Sequence, residues 1–450
     1  MQYINKLKTA LLLMALVAAP MAPCQEQWSL DQCITYAIEH NIRLKQKQLG
    51  IEATRNDLRQ SRLGLLPSLN AGLNQSFRFG RSVDPLTYEF TTENSKGASF
   101  YVFSDAELFR GFEQINAIQK NRIDLERNLQ ELEQARNDLS LEITRLFLQI
   151  LFNEELYQVV IQQRDISVQQ VDRTRKLVDA GTMTRGDQLE IQAQLAMEEL
   201  NVVNVKNQLD LSYLELAQLL DLPSAEDFRI RRPELTTYLI DEPFDSNETV
   251  YQSALTYLPQ IRVAELNLRS LEKELSLAEG RKSPRLTMSS AYGTGYSDRL
   301  RDYQTGLVMP LRDQLDFTSQ ASLGFGLNIP VFNSWKAQMA VRNARLGLEN
   351  GKYQLELARN QVRKEIQQSS ADAAAALNRY RATEQTVAAL EEAFRYTGQK
   401  YDVGLLTSLD FNVAKNNLTR ARSELLQAKY HYLFNRRILD FYRGIPIDLR

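Results

Sequence analysis

Histidine and cysteine are nearly missing, with two of each in 450 residues. His40 and His431 share no ligand-like spacing, and so few thiols exclude a zinc site or a disulfide framework as the organising principle. Charge of one sign is lacking too. Lys and Arg number 54 against 56 Asp and Glu, a formal net charge of −2, so the balance points to neither nucleic acid nor a polyanion. Beyond the N-terminal leader no apolar run approaches the ~18–20 residues of a membrane helix. An exported chain of this kind is soluble, anchored or a β-barrel, because only a closed barrel satisfies its backbone within lipid without helices. There is no nucleophile elbow and no paired-acid signature. Gly293-Thr294-Gly295 and Gly324-Phe325-Gly326 lie in strand-like runs without a following phosphate-binding helix. These absences argue against an enzyme, a cofactor and a metal.

What is present begins with an export signal over residues 1–24. Lys6 and Lys8 form a positive n-region, and Ala10 to Ala19 an apolar h-region too short to span a bilayer. Cleavage after Cys24 leaves Gln25 as the N-terminus. Alternatively Cys24 is a lipidated first residue, although Met21 and Pro23 fit that poorly. Cys33 then reads as a lone buried or half-buried thiol, with a Cys24–Cys33 bridge open if both survive.

The dominant feature is a duplication. Leu132-Glu133-Gln134-Ala135-Arg136-Asn137 recurs as Leu355-Glu356-Leu357-Ala358-Arg359-Asn360, and the same 223-residue spacing links Phe109 to Phe332, Asp179 to Asp402, Gly181 to Gly404, Thr184 to Thr407, Asp187 to Asp410 and Pro223 to Pro446. Farther N-terminal the spacing is 217, from Ala37 to Ala254 and Pro67 to Pro284, so six residues must be gained between Pro67 and Phe109. The organisation expected is a first repeat over 25–223, a linker over 224–250 and a second repeat over 251–450.

Each repeat carries the same order of elements. Residues 29–65 read as one helix, with Ser29 and Asp31 as start signals. Two strand-like runs follow, then an unbroken helix over 110–178. A short tip at Asp179–Thr182 leads to a last helix over 184–222. Ile118, Leu125, Leu132, Leu139 and Leu146 fall seven apart, as do Val341, Leu348, Leu355 and Val362, which implies left-handed supercoiling on partner helices. At 1.5 Å per residue the long helix spans about 100 Å and the shorter two about 56 and 58 Å, so one full-length helix beside two half-length ones is the expected packing.

Leu323, Phe325, Leu327, Ile329 and Val331 alternate with Ser322, Gly324, Gly326 and Asn328. Leu69, Ala71, Leu73, Phe77 and Phe79 alternate with Asn70, Gly72, Asn74, Ser76 and Arg78. This period suits a wall between lipid and water, although a half-buried soluble sheet alternates in the same way. Two strands per repeat make four per chain, too few to close a barrel when the smallest membrane barrels have about eight. Several chains must contribute. Two give eight strands filled by side chains, whereas three give twelve and leave a lumen.

These features resemble the TolC-like outer-membrane efflux proteins. The resemblance rests on the strand-to-helix joint Pro330-Val331-Phe332-Asn333-Ser334-Trp335, on the hairpin tip Tyr401-Asp402-Val403-Gly404-Leu405-Leu406-Thr407-Ser408-Leu409-Asp410, and on their partial copies Glu107–Gly111 and Asp179–Thr184. It covers essentially the whole chain beyond the leader.

The resemblance implies an α+β membrane protein of duplicated strand-pair and long-helix units. It would be a homotrimer with a 12-stranded β-barrel continued by a periplasmic α-helical barrel, with the 224–250 segment in a small equatorial region around it, in the outer membrane of a Gram-negative bacterium. It implies a passive exit duct of a tripartite efflux pump, fed by an inner-membrane transporter (the RND type favoured) through a periplasmic adaptor. The alternatives are the duct of a type I protein secretion system and, from another class, a non-conducting periplasmic coiled-coil adaptor. By the same resemblance the adaptor meets the tips at Gly181, Thr184, Gly404, Leu405 and Thr407, and Asp187, Tyr401 and Asp410 form a periplasmic gate. Leu406 stands where relatives can have an Arg tying hairpins together, and Val413 where they can have a second inward acid. Asp187 and Asp410 read equally as helix N-caps or first-turn acids. The lipid-facing wall is expected at Leu323, Phe325, Leu327 and Ile329, with girdle aromatics at Tyr88, Phe90, Tyr292, Tyr296 and Trp335; for Trp335, core packing at the joint is the alternative.

Overall fold

A computed structural model of the chain describes residues 27–83, 88–92, 94–233 and 245–445. The leader, Cys24 and part of the 224–250 segment lie outside the described residues. The elements in chain order are β1 (Gln27–Trp28), α1 (Leu30–His40), α2 (Ile42–Leu63), β2 (Asn70–Arg78), β3 (Ser82–Val83), β4 (Phe90–Thr91), β5 (Ser95–Arg110), α3 (Glu113–Asp179), α4 (Arg185–Leu219), β6 (Arg229–Ile230), α5 (Asn247–Tyr257), α6 (Pro259–Gly280), β7 (Arg285–Ser297), α7 (Leu311–Phe317), β8 (Gln320–Asn328), α8 (Lys336–Asp402) and α9 (Ser408–Tyr442). Contacts divide the chain into two compact units, and each repeat contributes to both. One unit holds residues 1–46, 133–258 and 361–450, the other 47–132 and 259–360. Among the described residues no helix is long and apolar enough to cross a membrane.

The unit of 47–132 and 259–360 contains a four-stranded antiparallel sheet in the order β2-β5-β7-β8. Directly paired residues share a face, and the register therefore sorts the sheet's two sides. Gly72 pairs Tyr101, which pairs Gly293, and Asn74 pairs Ser99, which pairs Gly295. Thr287 pairs Gly326, Ser289 pairs Gly324, and Ala291 pairs Ser322. That side is polar or small apart from Tyr101 and Phe103. On the other side Leu73 pairs Phe100, Val102 pairs Tyr292, Met288 pairs Phe325 and Leu286 pairs Leu327. Among the described residues neither β2 nor β8 has a second strand neighbour. The connection between paired strands covers 79–94 in the first repeat and 298–319 in the second, and the latter contains the short α7. The six additional residues therefore sit in the strand-to-strand turn.

Four helical segments make a layer in the same unit. Asn128 on α3 donates to Thr54 Oγ1 on α2 at 2.7 Å. Ser270 on α6 donates to Asp124 of α3 at 2.7 Å, and Asn267 donates to Gln354 of α8 at 3.2 Å. The resulting order is α2-α3-α6-α8. Its two outermost helices carry exposed apolar side chains, Leu49 and Leu63 on α2 and Met339, Leu346, Tyr353 and Leu357 on α8. Gly111, at φ +56°, closes the first strand-to-helix joint against the backbone carbonyl of Gly280, where a Cβ would collide. Phe112 continues in the left-handed region, and Ser334 and Trp335 repeat that backbone in the second joint. This pair of residues delays both long helices, so α3 starts at Glu113 rather than near 110. Trp335 is exposed, not packed in a core.

The expected single helix over 29–65 is broken at Asn41. Asn41 adopts ψ 124° and accepts from the amides of Arg43 and Leu44, and Asp221 accepts from the amide of Ile42 at 2.9 Å. An Asx cap thus replaces the helical ladder. The second repeat breaks at Leu258, before Pro259.

In the other unit Ile143, Leu146, Phe147, Ile150 and Leu151 of α3 pack with Leu209, Tyr213 and Leu216 of α4 and its C-cap Leu220, Leu433 of α9, and Leu30, Cys33 and Ala37 of α1. Truncating a fully buried core aromatic such as Phe147 to Ala costs about 3–5 kcal/mol. The heptad leucines lie on the inward face, with Leu132, Leu146, Val341 and Val362 buried.

Candidate functional site at the helical-hairpin tips

Both long helices end in the same way. Gly181 (φ +74°) and Gly404 (φ +77°) sit where a left-handed residue must follow the last turn, and space is open around both. Thr182 N–H bonds Leu177 O and Gly181 N–H bonds Val178 O, each at 2.9 Å, a pair repeated by Leu405 to Lys400 and Gly404 to Tyr401. This 6→1 and 5→2 pattern satisfies the orphan carbonyls of each long helix.

The returning helices start with reciprocal caps. Thr184 accepts from Asp187 N–H at 3.2 Å, while Asp187 Oδ2 accepts from Thr184 N–H at 3.0 Å and from its hydroxyl at 2.7 Å. Thr407 and Asp410 repeat the arrangement at 3.2, 3.2 and 2.6 Å. The threonine hydroxyls, then the backbone amides, hold both carboxyls below the usual carboxylate range. Asp187 and Asp410 are therefore capping acids in the folded chain.

Tyr401 is only 8% exposed. Its ring stacks on Phe411 with centroids 4.8 Å apart, and its hydroxyl lies 3.3 Å from Ser408 Oγ. Among the described residues no hydrogen bond joins it to Asp187 or Asp410 within the chain. What does tie the two repeats together at the tips is Arg173 of α3. Its guanidinium lies 5.0 Å over the Tyr401 ring, pairs with the Asp402 carboxylate, and donates to the Asp402 carbonyl at 3.0 Å. Sequence reasoning missed Arg173 because its partner is more than two hundred residues away, although Asp402 stood out as the copy of Asp179. The second tip is also strongly apolar. Val403, Leu405, Leu409 and Val413 are all exposed, Leu405 at 74%.

On β8, Leu323, Phe325 and Leu327 are each 64% exposed, and Ile329 just beyond it is exposed too. Apolar residues on one face of the strand and small polar residues on the other are the pattern that a membrane wall requires.

The chain belongs to the outer membrane efflux protein family, whose sequence model matches residues 33–221 and 250–444, one stretch for each repeat. The alkaline protease secretion protein AprF of Pseudomonas aeruginosa is 25% identical over 411 residues, covering 88% of this chain and 80% of that protein. The outer membrane protein TolC of Salmonella enteritidis is 21% identical over 427 residues, covering 92% and 82%. The fold is shared with VceC of Vibrio cholerae (TM-score 0.76, 16% identity, 93% of this chain and 97% of that one) and with CmeC of Campylobacter jejuni (0.79, 13%, 93% and 86%). The protein is thus a TolC-like outer-membrane efflux channel of Gram-negative bacteria. Efflux and secretion ducts of this family work with adaptor and inner-membrane transporter partners, and the family is one of channels rather than of enzymes.

Proposed function

We propose that three copies close into one duct, with twelve strands in the outer membrane and a ring of helices continuing it in the periplasm. The observation that carries this reading is the sheet with two free edges and two unlike faces. A free edge in lipid leaves backbone groups unsatisfied. With four alternating strands, β8 of one copy runs antiparallel to β2 of the next, the pairing that a membrane barrel uses. The helical layer supports the same closure. Its exposed seams lie on α2 and α8, the outermost members at the corresponding ends of the order, which suits a head-to-tail ring. Two copies would give a side-chain-filled barrel, whereas three leave a lumen. Native mass spectrometry of detergent-extracted protein should find three chains, and a stable monomer or dimer would remove the basis for the barrel.

In this duct Leu323, Phe325, Leu327 and Ile329 face lipid and the Gly/Ser face lines the lumen. The apolar tip around Gly404 and Leu405, with Gly181, Thr184 and Thr407, receives the adaptor, and the transporter behind it is of the RND type. Asp187, Tyr401 and Asp410 mark the gate, with Arg173 and Asp402 added as the tie that holds the tips of the two repeats together. A second reading is a duct for secreted polypeptides, favoured by the likeness to AprF over most of both chains. Deleting the gene and scoring either drug sensitivity or loss of a secreted protein separates the two.

A further inference from the structure

Between the apolar core and the tips, the interior of the hairpin bundle changes character. On α3 the inward positions from Ile143 to Val160 are mostly apolar: Ile143, Leu146, Phe147, Ile150, Leu151 and Val160 are buried, with Thr144 and Asn153 as the buried polar exceptions. The next four at core spacing are Gln163, Ser167, Gln170 and Thr174. Opposite them stand Glu198 on α4 and Lys415 on α9, 6% and 2% exposed. Lys415 Nζ lies 2.8 Å from Glu198 Oε1 and also bonds Ser167 Oγ, which itself donates to Glu198. Gln194 and Gln163 donate to the same Glu198 oxygen at 3.0 and 3.3 Å, and Gln163 reaches Asn416 at 3.0 Å. Nearer the tips the pattern ends. Both ends of the Gln170 amide, the Thr174 hydroxyl and the Asn412 carbonyl are buried without a partner among the described residues.

An apolar core of this length would hold two hairpins by area alone and would tolerate slippage badly, because any shift exposes hydrocarbon. Buried amides and hydroxyls need hydrogen-bond partners and are the places where internal water enters a fold. A single buried charge pair in such a seam specifies register, at a cost in stability. We propose that Lys415, held against Glu198 and Ser167, is the register key between hairpin α3–α4 and hairpin α8–α9, set in a hydrated polar seam that lets their tip ends shift without exposing apolar surface. This rests on the duct reading only for its use, which is to let the tips move while the core around Phe147 stays packed.

The test is hydrogen–deuterium exchange on the full-length, detergent-extracted protein, which requires no transport. Lys415→Met leaves the Glu198 carboxylate buried and unpaired. Exchange over 163–198 and 408–419 should accelerate about a hundredfold, while the core around Ile143–Leu151 stays unchanged. Adding Glu198→Leu removes the stranded charge and should return exchange to the wild-type rate or slower. Gln170→Leu replaces an amide that has no partner among the described residues and should leave tip exchange within threefold of wild type or slow it. The key is refuted if Lys415→Met alone changes tip exchange less than threefold, or if the double variant exchanges as fast as the single one. The hydrated seam is refuted if Gln170→Leu accelerates tip exchange more than threefold. Wild-type protein that conducts no ions in a bilayer would sink the duct reading and leave these exchange results to stand by themselves.

Discussion

Replacing Phe325 by Arg should block assembly into a membrane, whereas the same charge at Ser322 should not. Phe325 lies near the middle of β8, is 64% exposed, and shares its face with Leu323, Leu327 and, across the strand pair, Met288. An arginine on the lipid face near the midplane costs about 2–4 kcal/mol, or roughly 25- to 700-fold in the folding equilibrium of one chain. Three copies around one barrel raise that to about 6–12 kcal/mol, comparable with the whole stability of a domain. Ser322 is three residues away on the opposite face, where it pairs Ala291. It is a better control than Gly326, where any Cβ comes within 3.0 Å of Thr287 Oγ1 and adds a steric cost of its own. The assay is refolding into lipid vesicles, read as the folded oligomer that survives unheated electrophoresis, followed by conductance of whatever assembles. Ser322→Arg should assemble and alter ion selectivity, while Phe325→Arg should stay unassembled. Equal assembly of both variants would mean that the face assignment, and with it the lipid-facing wall, is wrong.

At the tips, Thr184→Ala and Thr407→Ala should each cost about 0.5–2 kcal/mol of local helix stability, measured as faster exchange in the first turns of α4 and α9. Because their partners Asp187 and Asp410 have depressed pKa values, the stabilisation by these caps is fully present above the usual carboxylate range and lost as pH falls through the folded values. Tip exchange corrected for its intrinsic rate should therefore be flat from pH 7 to about 5 and rise only in stronger acid; a rise near neutrality would assign the effect to other groups. Arg173→Ala, which removes the tie to Asp402 and Tyr401, should raise resting single-channel conductance more than Tyr401→Phe, which loses only the contact with Ser408. An unchanged Arg173→Ala channel would confine the gate to contacts between chains, and Asp410→Ala should then be examined for lost cation selectivity. Burial pushes the Cys33 thiol up to about 12, so a maleimide should label it only after unfolding; rapid labelling of the native protein would contradict the packing of α1.

The features legible in the sequence were those whose signal is local and repeated. The seven-residue spacing of Ile118 to Leu146, the strict alternation of Leu323 to Ile329, and the copied glycines at 181 and 404 each report a backbone geometry that their own neighbours impose, and the 223-residue register doubled the heptad and the tip glycines. The tip aspartates were legible only as a choice between cap and gate, and the threonine three residues earlier makes the cap in both copies. Other features were decided by tertiary structure because they depend on groups far apart in the chain. The break at Asn41 looks like ordinary helix until Asp221 accepts the amide of Ile42, 179 residues away. Arg173 is one of many helix-surface arginines until the fold brings it over Tyr401, and Lys415 reads as a solvated charge until Glu198, 217 residues earlier, is buried against it. Periodicity therefore determined which residues share a face. The strand order β2-β5-β7-β8 with its two free edges, and the pairing of buried charges, came only from packing, because the energy of a long-range contact is written in two distant places at once and in neither alone.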